Sequence, residues 1–314
     1  MIALADAEHF VRGPDWTWYI LGYFFFAGIS GGAYALASML RLGNRGDEPA
    51  ARVGYYVAFV ALLPCPVLLT LDLGQPLRFW HMLVNTTSGD FGLNFNSGTP
   101  MSVGVWALLV ASVFALVSFV DALVRDGKLR NRLVRRLSRA LEGTAGKVWD
   151  VAGAVVFLFV AGYTGVLLAV SNQPIWSDTW ALGGLFLASG LSGSAALLLL
   201  LMRYRRDAAS SRGFLEVGER LFAALELVLL CVLVLTLIDD GTLDEAFDAP
   251  WILLWLIALA GTLPGLSALA GRGLSVSAGG AAAVERAKAS TLTPVLILAG
   301  VLALRAAVIF SAQA

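Results

Sequence analysis

The sequence predicts an all-α integral membrane protein: eight transmembrane helices in two parallel-repeat four-helix bundles, with the N and C termini extracytoplasmic. Three observations predict it. Hydrophobic residues make up 58% of the 314 and charged residues only 14%, against roughly 25% charge in soluble chains. Eight apolar stretches have the length of about 20 residues that a bilayer-spanning helix needs. The basic residues fall almost wholly on alternate connections between those stretches.

The stretches are approximately 16–41, 52–71, 100–124, 148–170, 179–203, 216–238, 250–270 and 291–312. The first 15 residues carry Asp6, Glu8, His9 and Arg12 and lack an apolar core. No cleavable signal peptide is therefore expected, and the first helix is read as part of the mature protein. The first, third, fifth and seventh connections and their edges hold every Lys and Arg except Arg12, Arg78 and Arg305. The third connection is the most basic, from Arg125 to Lys147, whereas the sixth carries Asp239, Asp240, Asp244, Glu245 and Asp248. Positive-inside bias makes the odd-numbered connections cytoplasmic and places both termini outside. The same bias accounts for the basic loops without invoking nucleic acid.

The helices divide into two halves. Helix 1 reads FFAGISGGA over 25–33 and helix 5 reads LASGLSGSA over 187–195. Gly28, Ser30, Gly31 and Arg41 align with Gly190, Ser192, Gly193 and Arg203 at a constant offset of 162. Helices 2 and 6 share Cys65 and Leu69-Thr70-Leu71 with Cys231 and Leu235-Thr236-Leu237. Residues 1–178 and 179–314 are thus read as two four-helix units. Four is even, so both units insert with one orientation, related by an axis along the membrane normal. The small residues of helices 1 and 5 let backbones approach where lipid supplies no hydrophobic drive. A glycine-rich nucleotide loop does not suit them.

Two cysteines inside helices exclude both a disulfide framework and a four-ligand iron–sulfur cluster. His9 and His81 are too few for two bis-histidine haems, and no metal site is expected.

Polar groups within a bilayer are costly, so their positions carry information. On the outer side the first half collects Trp16, Trp18, Tyr19 and Tyr23, then Asp72, Arg78 and His81 at and past the end of helix 2. Tyr163 lies about 10 Å short of the outer end of helix 4, and Gln173 and Trp176 follow in a short loop. An aromatic belt accounts for several of these rings. An ion pair across the Gly-x-Pro turn accounts equally well for Asp72 and Arg78. An interhelical hydrogen bond accounts for Tyr163. In the second half Glu226 and Arg305 fall at similar depth. A buried ion pair is the preferred reading, and a proton path through them the sharper one.

Four segments resemble one family. WTWYILGYFFFAGISGGAYALAS (16–38), DLGQPLRFWHML (72–83), TPMSVGVWALL (99–109) and YTGVLLAVSNQPIWS (163–177) look like successive motifs of the NrfD/PsrC membrane-anchor family of polysulfide and nitrite reductases. The resemblance implies a quinone-reactive subunit, not catalytic alone, in the cytoplasmic membrane of a bacterium or archaeon. It implies menaquinone or ubiquinone as substrate, with no haem or iron–sulfur cluster in this chain. It implies an extracytoplasmic four-cluster ferredoxin-like iron–sulfur partner and a molybdopterin or multihaem cytochrome catalytic subunit. It puts the quinone in the first bundle near the outer surface. Tyr163 and His81 are then expected at the carbonyl oxygens and Asp72 at proton exchange. Thr17, Tyr19, Tyr23, Arg78 and Trp176 are expected to line the site, and the loop 72–100 to dock the partner. The alternatives are a secondary transporter, for which Pro64, Pro66 and Pro264 mark helix breaks, and a purely structural anchor.

Overall fold

The computed structural model describes residues 15–43, 49–86, 92–274 and 292–313. His9 and Arg12, and the Arg286–Lys288 stretch, lie outside them. Among the described residues seven helices are long and apolar enough to cross a membrane, with a shorter apolar helix over Ile252–Leu266. The protein is thus a helical, multi-pass membrane protein.

The elements in order are α1 (Trp18–Gly43), α2 (Pro49–Leu62), α3 (Pro64–Asp72), α4 (Pro100–Arg125), α5 (Arg132–Ala140), α6 (Gly143–Ala169), α7 (Leu182–Leu201), α8 (Arg212–Asp240), α9 (Leu243–Phe247), α10 (Ile252–Leu274) and α11 (Leu292–Ser311). The single stretch read over 52–71 is two helices. Pro64 and Pro66 have no N–H to offer the carbonyls one turn back, so the ladder breaks between Leu62 and Pro64. Pro264 by contrast lies inside α10 without ending it. Pro100 occupies the first turn of α4, where a missing N–H costs nothing. The Asn131 side chain caps α5 by accepting from the Leu133 N–H. Gly241 closes α8 at φ +77°, in the left-handed region that glycine tolerates.

Helices α1 and α7 are the most buried spans, and α4 and α8 the least. The two glycine-rich stretches that align in sequence meet face to face between α1 and α7. A Cβ on Gly32 would stand 2.7 Å from the Gly190 carbonyl oxygen, and one on Gly190 would stand 3.0 Å from that of Gly28. Ser194 Oγ reaches across to the Ile29 carbonyl at 2.9 Å. Helices α10 and α11 touch as closely, with a Cβ on Gly261 placed 2.6 Å from the Gly300 Cα.

At the Arg41 end of α1, charges counted in sequence as loop residues are buried. Arg41 is 6% exposed. It pairs with Asp121 of α4 at 3.1 Å and Asp150 of α6 at 3.3 Å. Tyr55 of α2 donates to Asp150 at 2.9 Å, and Arg125 pairs with Asp121 at 2.9 Å. Two cations thus balance two carboxylates that all face inward. Nearby, Asp126 receives Arg52 at 2.8 Å, Tyr56 Oη at 2.8 Å and Arg205 at 3.0 Å. It ties α2 to the connection after α7. Burial works against the Asp126 carboxylate. Hydrogen bonds from Arg205 and Tyr56 and the charges of Arg205 and Arg52 outweigh it, and its pKa falls to about 2.

Gly32→Leu should force α1 and α7 apart at a cost of about 1–3 kcal/mol or more, read as a lower thermal midpoint in detergent. Gly213→Ala, which meets open space, should leave that midpoint unchanged. The Asp126 tie has a depressed folded-state pKa. Its stabilisation should be complete well above the ordinary value of 3.8 and disappear as pH falls through about 2. Thermal unfolding measured against pH should show that acid loss in the wild type and lack it in Asp126→Asn.

Candidate functional site

The polar groups of the Trp18 end gather around one pair of tyrosines. Tyr23 is 3% exposed on α1 and Tyr163 7% exposed on α6. They are electrostatic neighbours of each other, and Tyr23 also neighbours Cys65 of α3. Tyr163 donates its hydroxyl proton to the Pro100 carbonyl at the start of α4. Its ring stacks on Phe159 at 5.6 Å and presses on Gly104, where any Cβ would collide with it. Gly104 is therefore required for this tyrosine to enter the bundle. Among the described residues nothing hydrogen-bonds the Tyr23 hydroxyl, so it remains free to donate.

Asp72 ends α3 two helical turns from Cys65, on the same face, and is half-buried. Gly74 at φ +63° then turns the backbone. A 3-10 helix over Pro76–Met82 carries Arg78 and His81, both exposed. The ion pair expected between Asp72 and Arg78 does not form among the described residues. The turn at Gly74 and the following 3-10 helix separate the two side chains, and Arg78 faces solvent. His81 packs edge-on against Trp80 at 3.9 Å. A short hairpin pairs Val84 with Leu93. Asn94 fastens it: its amide nitrogen donates to the Leu83 carbonyl at 2.8 Å and its Nδ2 to the His81 carbonyl at 2.9 Å. Its own carbonyl accepts from Trp106 Nε1 of α4 at 3.0 Å. The described residues of the connection read as a loop over 72–100, which are 72–86 and 92–100, therefore form a folded platform. It presents Leu77, Phe79, Leu93 and Phe95 to the outside.

The remaining residues lie elsewhere. Thr17 and Tyr19 are exposed at the start of α1, Tyr19 one turn before Tyr23. Trp176 is fully buried and faces the second half. Its indole N–H donates to the Val308 carbonyl of α11 at 2.6 Å, and its ring stacks on Trp16 at 5.1 Å. Gln313 completes this strap by accepting from the Trp16 N–H at 2.6 Å.

Glu226 and Arg305 do not form the expected ion pair. Arg305 is fully buried and donates to the carbonyls of Phe24 (3.1 Å), Phe186 (3.0 Å) and Val301 (3.0 Å) and to Ser189 Oγ (3.0 Å). Its donors are taken by α1, α7 and its own helix, and Glu226 interacts with it only through the field. Reading the sequence alone misses Asp150, Tyr34 and Tyr55. Tyr34 Oη lies 2.9 Å from Ser118 Oγ, to which Trp149 Nε1 also donates at 3.0 Å. The available signal was Asp150 itself, an acidic residue inside a predicted apolar span.

Tyr23 thus neighbours both Tyr163 and Cys65, and Asp72 lies two helical turns along α3 from that cysteine. Comparison with known proteins bears on which molecules such an end serves. The family model for Polysulphide reductase, NrfD, matches residues 8–314. The protein is 30% identical over 201 residues to the C component of the polysulfide reductase of Wolinella succinogenes, covering 59% of this protein and 57% of that one. It is 30% identical over 199 residues to the Protein NrfD homolog of Haemophilus influenzae, covering 60% and 59%. It is 24% identical over 244 residues to the C component of the selenate reductase of Mesobacillus selenatarsenatis, covering 69% and 55%. The match spans under two thirds of the length of each of these relatives. With the family model matched over nearly the whole sequence, the protein belongs to the NrfD polysulphide reductase family.

Proposed function

We propose that the protein is the quinone-reactive membrane subunit of a respiratory oxidoreductase. It exchanges electrons and protons between the membrane quinone pool and an extracytoplasmic iron–sulfur partner. The relatives named as components of polysulfide and selenate reductases support a place in such a complex. A molybdopterin or multihaem cytochrome subunit would complete it. The orientation follows from the charge bias: eight spans, two four-helix units over 1–178 and 179–314, and the Trp18 end outside.

What supports this reading is the neighbouring pair Tyr23 and Tyr163 beside Cys65, with Asp72 two helical turns along α3 from that cysteine. Quinol oxidation releases two electrons and two protons. Tyr23 has a free hydroxyl to hold a carbonyl oxygen, and Tyr163 can exchange its Pro100 bond for one to the ligand. Asp72, half-buried at a helix end, can pass protons to water. His81 and Arg78 lie on the platform, where they meet a headgroup edge or the partner. The exposed apolar residues of that platform suit docking. Menaquinone and ubiquinone fit equally.

The complex should co-purify with quinone. Tyr163→Phe should raise the quinone dissociation constant about tenfold, the loss of one hydrogen bond of ~1–1.5 kcal/mol. Asp72→Asn should cut turnover by about 10²-fold or more with little change in binding, as loss of a general acid–base group does. Both are read by quinol titration of the intact complex in liposomes. Solute uptake by this protein alone, with no quinone bound, would overturn the reading in favour of a transporter.

A further inference from the structure

The second half contains a carboxyl group that no structural role accounts for. Glu219 lies on α8, two turns inside from Arg212, and is 8% exposed. Among the described residues its buried Oε1 has no hydrogen-bond partner. It is pressed against α10, where a Cβ on Gly265 would stand 2.7 Å from that oxygen. Glycine at 265 is what leaves room for it. The adjacent Arg220 turns to Glu216 at 3.7 Å instead, and Glu216 also receives Arg212 at 3.2 Å. Two turns further along α8, about 10 Å at 1.5 Å per residue, stands Glu226, 2% exposed. The two carboxyls feel each other, and Glu226 also feels Arg305.

Among the described residues no other charge faces this column. The α7 helix carries no charged residue from Leu182 to Leu201, nor does α10 from Ile252 to Leu266. The charged groups near it are Arg212, Glu216 and Arg220 at its mouth and Arg305 at its inner end. An ionised carboxylate with no partner in an apolar interior is far costlier than a neutral acid. For Glu219, whose Oε1 meets no hydrogen-bond partner among the described residues, the neutral acid is the less costly form.

We propose that Glu219 and Glu226 form a proton-holding pair in the second half, loaded from the Arg212 end of α8. Arg305 closes the inner end of the column, because a fixed cation repels an arriving proton. This site is distinct from the tyrosine pair of the first half, and its test does not depend on quinone binding.

Dicyclohexylcarbodiimide tests it in the intact complex in liposomes. The reagent adds to a protonated carboxylic acid: the acid proton moves to a carbodiimide nitrogen, and the carboxyl oxygen bonds the central carbon. The acylisourea then rearranges to a stable N-acylurea, with no oxidant or reductant needed. Peptide mass spectrometry should find the adduct on Glu219 at neutral pH, lost in Glu219→Gln and retained in Glu226→Gln. Raising the pH should suppress it. Glu219→Asp, which keeps the acid, should restore labelling if Glu219→Gln folds poorly. Labelling confined to acidic pH would show an ordinary ionised carboxylate and overturn the proposal. Protection by sodium ions at constant pH would show a cation site and overturn it equally.

Discussion

Everything in the centre of this molecule is arranged around one buried guanidinium. Arg305 is fully buried, far from the aqueous ends of its helix. A cation there is tolerable only if its N–H donors are met. Backbone carbonyls meet them, from Phe24 on α1, Phe186 on α7 and Val301 on α11. A helix carbonyl is already engaged in its own ladder but keeps a second lone pair. Reaching it requires that the helix expose its backbone. Gly28 supplies that exposure, since a Cβ there would stand 2.5 Å from the Arg305 Nη2. The ring of Phe186 covers the guanidinium at 5.0 Å. Arg305 therefore joins both halves through main-chain atoms and fixes where α1, α7 and α11 cross.

The ends of the bundle follow from that centre. With α1 and α7 held at contact distance, α6 and α2 pack on α1 and carry Asp150 and Tyr55 to Arg41. The same α1 carries Tyr23 at its opposite end toward Tyr163. One helix thus positions a charge-balanced cluster at one end and a phenol pair at the other. The strap of Trp16, Trp176 and Gln313 holds the start of α1 against α11. The Asp126 tie holds the first unit to the connection after α7. The tyrosine site is therefore framed by rigid helices, and the platform after α3 is anchored separately through Asn94 and Trp106.

Much of this was legible in the sequence. Composition showed the spans, and the matched small-residue stretches at 25–33 and 187–195 pointed to the helices that turn out to be central. Tyr23, Asp72 and Tyr163 stood out in the sequence because a phenol or carboxyl within or beside an apolar span is unusual, and Tyr23 and Tyr163 do become neighbours. Pairing was not legible. Arg41 reads as a loop charge because it stands at the end of the first apolar stretch, just before Gly43-Asn44-Arg45, yet Asp121 and Asp150 come to it from helices distant along the backbone. Arg305 and Glu226 share a depth, and depth alone suggested a pair. Which face of each helix they occupy depends on the Gly28 crossing, and that is a property of packing. Trp176 likewise looked like a site residue by its position after Tyr163. Its rotamer turns it toward Val308, which no spacing rule specifies.

The two halves solve the same electrostatic problem differently, and the difference bears on function. In the first half each buried carboxylate has a cation or a hydroxyl within hydrogen-bonding distance: Asp121 has Arg41 and Arg125, and Asp150 has Arg41 and Tyr55. Such a cluster satisfies each buried charge where it lies and ties α1, α4 and α6 together. Beyond residue 179 the Arg305 cation is satisfied mainly by carbonyls, and one oxygen of the Glu219 carboxyl has no hydrogen-bond partner among the described residues. Burying that carboxyl costs little only while it carries a proton. A helix gains nothing structurally from a buried acid oxygen that packs against glycine and, among the described residues, accepts no hydrogen bond; an apolar side chain would fill the space at lower cost. A group kept in so unfavourable a position is explained by its proton rather than by its packing.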